Sequence, residues 1–290
     1  MDKKVQGSWL IHHTNKLQNV TNQGRYQNTF VAGKAGILLS AISETNQSDL
    51  SNERLEVLAN ASNINIGFEL PRLLEVLKEQ ELIDVTDSGV GVLGVTTSSA
   101  LQHTSSIFES LGPKGIETSA LELAEHASVR PVRSSELEER FSDDYKLAKK
   151  EVRQLFYDSE NFGFVDVESI GKTEKLLFNG NIFRRDSALK TKAVLDSLKP
   201  GEQAALIELT EKLKKTACVT YPDAIAILGD PLFKKVNSIG FFDMNVVSNS
   251  QEEVGYLTLP SAFSKYSNSM VDDAFDLAKA FVASLTYGMT

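Results

Sequence analysis

Apolar residues recur at helical spacing through most of this chain, and three times the spacing gives way to short alternating runs that read as paired strands. From Lys34, AGILLSAISE reads as a helix and SNERLEVLANAS as a second, with Ser51 as its N-cap. NIN makes a turn, and FELPRLLEVLKEQ reads as a third helix, with Leu70, Leu73, Leu74, Val76 and Leu77 on one stripe and Pro71 in the first turn. LIDVTDSGVGVLGVTT then alternates, turns at glycine and returns as a hairpin, and SALQHTSSIFESL supplies a connecting helix.

The same order returns twice. TSALELAEHAS, SSELEERF and DDYKLAKKEVRQLFYDSE read as helices, with Ser134 as a capping residue, before a hairpin of FGFVDVESI and TEKLLFNGNIF around Gly171-Lys172. EQAALIELTEKLKK, TYPDAIAIL and DPLFKKVNSI come next, Asp230-Pro231 being read as N-cap and first-turn residue, and FFDMNVV and VGYLTLP form the last hairpin. Residues 1–33, rich in Asn, Gln, Thr and Gly, are expected to form an irregular or short-strand arm anchored by Trp9 and Phe30. VDDAFDLAKAFVASL is an amphipathic C-terminal helix by its pattern. The sequence then ends at TYGMT without an evident cap or polar tail, as expected of a fragment or of an end that meets a partner.

Each third helix leads into a strand through a short apolar joint: KEQELIDV, DSENFGFVDV and VNSIGFFDMNV. Three helices, this joint and a hairpin resemble the order of the winged-helix superfamily, over residues 34–266. The resemblance implies a predominantly α, α+β architecture of two to three tandem winged-helix domains. The expected partition is an arm at 1–33, units at 34–112, 113–192 and 193–266, and a C-terminal helix at 267–290.

Charge changes what this order means. The chain carries net charge −9, yet residues 145–192 hold 10 Lys/Arg against 7 Asp/Glu, while the flanking parts are net −8 and −4. Overall acidity excludes a surface coated in nucleic acid, because each phosphate contact needs a local cation. In SDDYKLAKKEVRQLF, Lys146, Lys149, Lys150 and Arg153 fall within an arc of roughly 100° if the stretch is one helix. The resemblance puts this helix at the recognition position, where the exposed face of DNA-binding members enters the major groove. Arg153 then has the fork that matches guanine, Lys172 and Lys175 sit at the wing, and Arg184, Arg185, Lys190 and Lys192 extend the patch. The competing reading is a solvated face whose lysines pair with Glu151 and nearby carboxylates. In the third unit Lys234, Lys235 and Asn237 are secondary candidates for DNA contact. The first unit's third helix carries Glu69, Arg72, Glu75, Lys78 and Glu79, one excess negative charge, and suits a protein partner better than a groove.

No stretch predicts an active site. GVGVLG matches a dinucleotide fingerprint in letters but falls inside a hairpin rather than a strand-to-helix turn. His12-His13, read on a strand, point to opposite faces, and His103 and His126 lie on separate helices, so no metal site is expected. Gly33-Lys34 lacks phosphate-loop spacing, and Asp143-Asp144 and Asp272-Asp273 read as carboxylates preceding or opening helices. A single cysteine, Cys218, rules out an intrachain disulfide and suits the cytoplasm. No apolar run long enough to span a membrane is present. The expectation is a non-enzymatic protein without cofactor that binds double-stranded DNA as a regulator or a subunit of a DNA-acting complex. The alternative is an adaptor or scaffold that meets a protein partner, or a second copy, through its first unit or the C-terminal helix.

Overall fold

The computed structural model describes residues 1–21, 23–45, 49–87, 89–171, 174–248, 253–261 and 266, without the side chains of residues 97, 98, 186, 247 and 248. It is predominantly helical with small antiparallel sheets, an α+β architecture. Two compact units divide the chain: Met1–Glu125 with Leu137–Phe164, and His126–Glu136 with Val165–Thr290.

Residues 1–33 are not an irregular arm. Helix α1 spans Lys3–Leu17, with the Asp2 carboxylate accepting from the Lys4 and Val5 amides; a 3-10 turn spans Gly24–Tyr26, and α2 runs Gln27–Ser43. The buried side of α1 contains Gly7, His12, His13 and Thr14 beside Trp9, Leu10 and Leu17, so its polar composition hides a core face. With α5 (Thr97–Ser110), α1 and α2 form a three-helix bundle around Leu38, Leu39, Ile42, Ile107 and Phe108. The helices approach closely: a Cβ on Gly36 of α2 would lie 2.1 Å from Thr104 Oγ1 of α5. The open N-terminus of α2 is closed by Glu117, whose Oε1 accepts from the Asn28 and Thr29 amides at 2.8 and 2.9 Å. Oε2 of the same carboxylate accepts from the Lys114 amide at 2.9 Å, where α6 (Gly115–Val129) begins.

Behind α2 come β1 (Asp49–Ser51), α3 (Asn52–Ala61), α4 (Leu70–Glu79), β2 (Ile83–Thr86) and β3 (Gly89–Val92). Behind α6 come β4 (Val132–Arg133), α7 (Ser134–Asp144), α8 (Lys149–Asn161), β5 (Asp166–Ile170) and β6 (Glu174–Phe178). A linking helix α9 (Arg185–Asp196) precedes α10 (Pro200–Thr216), β7 (Val219–Thr220), α11 (Tyr221–Leu228), α12 (Asp230–Asn237), β8 (Asp243–Ser248) and β9 (Glu253–Thr258). Helix, short strand, two helices and hairpin therefore occur three times in chain order. Each time the last strand lies between the other two, giving sheets β1-β3-β2, β4-β6-β5 and β7-β9-β8, all antiparallel. The short first strands leave no mark in the sequence because two or three residues cannot establish an alternation.

The three apolar joints have one geometry. Glu81, Gly163 and Gly240 adopt φ of 55°, 73° and 65° after α4, α8 and α12. The next residues, Leu82, Phe164 and Phe241, donate their amides to carbonyls five positions back, on Leu77, Ser159 and Val236. This left-handed cap satisfies the helix-end carbonyls and turns the chain into the first strand of the hairpin. Ser51 and Thr220 likewise accept amides at the starts of α3 and α11, from Arg54 and Asp223. At α12 the N-cap is Gly229 rather than Asp230, which is the first helical residue.

In the second unit the larger core gathers Leu206, Leu209, Leu213, Phe233, Val236 and Leu257, and a smaller one joins Leu176, Phe178, Phe183 and Ala188. Among the described residues no helix is long and apolar enough to cross a membrane. The C-terminal helix expected at 267–290 lies outside the described residues.

Candidate nucleic-acid interface

SDDYKLAKKEVRQLF is not one helix. Asp143 and Asp144 close α7 instead of opening its successor, and two carboxylates at a C-terminus oppose the helix dipole. Lys146 takes φ 52°, Ser142 Oγ donates to the Leu147 carbonyl at 3.1 Å, and α8 starts at Lys149. Lys146 is exposed but belongs to the turn, so the helical arc of four cations reduces to Lys149, Lys150 and Arg153. The break is hard to read from sequence because Leu147, Val152, Leu155 and Phe156 keep the apolar spacing across it.

Burial of Val152, Leu155 and Phe156 fixes α8 in the first unit. Asp158, also buried, accepts from Gln154 Nε2 at 2.7 Å and from the Tyr26 hydroxyl at 3.3 Å, and its Oδ2 lies 3.6 Å from an Arg25 guanidinium nitrogen. Burial and the neighbouring Asp158 carboxylate push the Tyr26 phenol well above its ordinary value, keeping it a hydrogen-bond donor. Beyond the helix, Phe164 stacks on His13 with ring centroids 3.8 Å apart. The rotation of α8 about its axis is thus set by a buried polar network as well as by apolar packing.

The opposite face carries Lys149, Lys150 and Arg153, all exposed, with Tyr157, 61% exposed, one turn further on. Glu151 is occupied elsewhere: its carboxylate accepts the Ala148 amide at 2.8 Å, which caps α8. Among the described residues none of the three cations has a carboxylate within 4 Å. Sequence reasoning missed Tyr157, although its position four residues after Arg153 places it on the same stripe.

The remaining candidates lie in the second unit. Lys175, half-buried on β6, pairs in register with Ser169 of β5, and its amide donates to Ser134 Oγ. Lys172 lies outside the described residues. Arg184 is exposed and precedes α9. Arg185 is engaged, with Nε 3.5 Å from Glu168 and Nη2 donating to the Val167 carbonyl at 3.3 Å. Lys190 is exposed, whereas Lys192 is buried between Glu136 and Asp196, each at 2.7 Å, and does not extend a surface patch. The reason is that RDSALKTKAVLD is a helix whose Ala188, Thr191 and Lys192 turn inward.

On α12 Lys234 pairs with Asp230 at 2.7 Å, Lys235 is half-buried and Asn237 is exposed. On α4 Glu69 does not join the exposed face; it accepts the Asn65 amide and lies 3.7 Å from buried Lys34, whose ammonium also donates to the Asn63 carbonyl. Burial lowers the Lys34 pKa, and Glu69 partly restores it. The face of α4 is left with Arg72, Glu75, Lys78 and Glu79 in balance. Beside it, Phe68 is 87% exposed, and with Pro71, Leu74 and Val85 it lines a shallow depression of about 720 Å³.

His12 and His13 sit on a helix and are both buried, and no hydrogen-bond partner among the described residues reaches their ring nitrogens. The glycines of GVGVLG up to Gly91 belong to β3, paired with both β1 and β2. Comparison of the whole chain with protein-family models and with curated proteins found no match.

Proposed function

We propose that this chain is a non-enzymatic, tandem winged-helix DNA-binding protein of the cytoplasm whose main duplex contact is the exposed face of α8. The observation that carries the reading is the set Lys149, Lys150 and Arg153: exposed, without carboxylate partners among the described residues, and on the third helix of its repeat. That is the helix which a winged-helix protein inserts into the major groove. The two lysines suit phosphates; Arg153 suits a guanine edge or a phosphate, and Tyr157 can give a hydroxyl to the backbone or its ring to a thymine methyl. Lys175 and Arg184 are auxiliary contacts under this reading. Lys172, outside the described residues, is retained as a candidate contact by its sequence alone, and Lys146 would meet phosphate from the preceding turn. Arg185, held by Glu168, and the Lys234, Lys235 and Asn237 group on α12 are weaker auxiliaries.

A fluorescence-anisotropy titration with mixed-sequence duplexes tests the reading. Replacing Lys149, Lys150 and Arg153 by Gln is expected to weaken binding at least tenfold at low salt. Equal affinity of the substituted and native chains overturns it.

A second reading is favoured by one observation. The exposed Phe68 beside the charge-balanced face of α4 fits protein docking better than a groove of phosphates. A DNA-contacting α8 and a protein-contacting α4 are compatible in a subunit of a DNA-acting complex. Phe68→Ser then leaves duplex affinity unchanged but abolishes recovery of a partner from native extract; a loss of duplex affinity contradicts this division of labour.

A further inference from the structure

The exposed ring of Phe68 is held in place by the fold. Phe68 stands in the turn before α4, where the Gly67 and Phe68 amides donate to Asn65 Oδ1, each at 3.0 Å. The Glu69 and Leu70 amides donate to the Asn65 carbonyl at 2.9 and 3.0 Å. Glu69 accepts the Asn65 amide at 2.7 Å and ties the turn to Lys34 of α2. From Phe68 the depression runs past Pro71 and Leu74 to Lys78 and to Val85 of β2. A protruding ring and an apolar hollow thus share one face. Arg72, Glu75 and Lys78 also line it, all exposed, and among the described residues none of them has an oppositely charged group within 4 Å.

Under two-fold symmetry one patch must supply both halves of every contact, and this patch carries a knob, a hollow and charges of both signs. We propose that the α4 face docks a second copy of this chain, with the two α4 helices antiparallel and Phe68 of each copy entering the other's depression. The proposal rests on the reading of this face as a protein-docking surface and names its partner. A two-fold axis near Leu74 sets Arg72 of each copy opposite Glu75 of the other and carries each Phe68 toward the Lys78 end of the opposite depression. An axis at Glu75 would instead oppose two carboxylates. One helix face buries less than the ~1,200–2,000 Å² of a standard interface, so the dissociation constant is expected on the order of micromolar.

Sedimentation equilibrium of the full chain without DNA, from micromolar to near-millimolar protein, tests the assignment. The average mass is expected to rise from monomer toward dimer, and Phe68→Ser should weaken association at least tenfold. Arg72→Glu and Glu75→Arg each oppose like charges and should weaken it several-fold, whereas the two combined in one chain exchange the signs and should restore native association. A chain that stays monomeric throughout, or a dimer indifferent to all of these substitutions, overturns the proposal. If the chain is monomeric but still recovers a different protein from native extract in a Phe68-dependent manner, the docking surface stands and the second copy falls. If Phe68→Ser changes neither self-association nor recovery, both fall.

Discussion

Lowering the pH from 7 to 4.5 is expected to destabilise the first unit through His12 and His13. Both are buried on α1, and their ring nitrogens have no hydrogen-bond partner among the described residues. Trp9 lies edge-on to His12 at 5.4 Å, Phe164 stacks on His13, and Lys16 is the nearby charge. Burial first, then Lys16, lowers the His12 pKa from its ordinary 6.5 to about 4; burial, His12 and Lys16 lower that of His13. The unfolded chain thus takes up protons below about pH 6.5 that the folded chain refuses until about pH 4. Stability is full above 6.5 and falls as the pH drops through that window. At ~1.4 kcal/mol per pKa unit, His12 alone accounts for about 3 kcal/mol by pH 4, a large part of a typical 5–15 kcal/mol margin, and His13 acts in the same direction. Urea unfolding of the native chain and of the His12→Phe/His13→Phe variant at pH 7.5, 6.0 and 5.0 measures the difference, while carboxylate titration common to both cancels. The variant should lose less stability between pH 7.5 and 5.0. Parallel profiles refute the assignment of a neutral, buried histidine pair.

Further outcomes rest on individual contacts. Glu117→Ala leaves three amides at the starts of α2 and α6 without their acceptor and should cost about 2–4 kcal/mol, read as a lower urea midpoint with an unchanged slope. Gly163→Ala forces a side chain into a left-handed conformation and should destabilise by about 1 kcal/mol, whereas Glu81→Gly at the equivalent joint should stabilise by up to about 1 kcal/mol. Thermal melts of the two variants should move in opposite directions. Gly36→Val drives a side chain into Thr104 and should lower the melting temperature by several degrees or prevent folding.

How legible the molecule is from sequence depends on which residues carry each signal. Ser51 and Pro71 mark the starts of α3 and α4 because capping and first-turn proline act locally. Helix α1 is hidden because its buried face uses Gly7, His12, His13 and Thr14, which serve close helix approach and ring stacking rather than hydrophobicity. The break between α7 and α8 is hidden because Lys146, a residue without special preference for positive φ, makes the turn while the apolar period continues. The candidate site is legible in its residue types, since a local excess of cations survives any shift of helix boundary. Which cations are spent on internal pairs is not: Lys192 and Arg185 meet Glu136 and Glu168, 56 and 17 positions away in sequence.

The salt dependence of duplex binding tests the central reading most directly. For the native chain, log K is expected to fall linearly with log salt, and neutralising Lys149, Lys150 and Arg153 should make the slope shallower by about 2 to 3, near 0.9 for each phosphate left without its cation, the lower figure applying where Arg153 meets a guanine edge. An unchanged slope and affinity in the neutralised chain would contradict the assignment of α8 as the DNA-contacting helix.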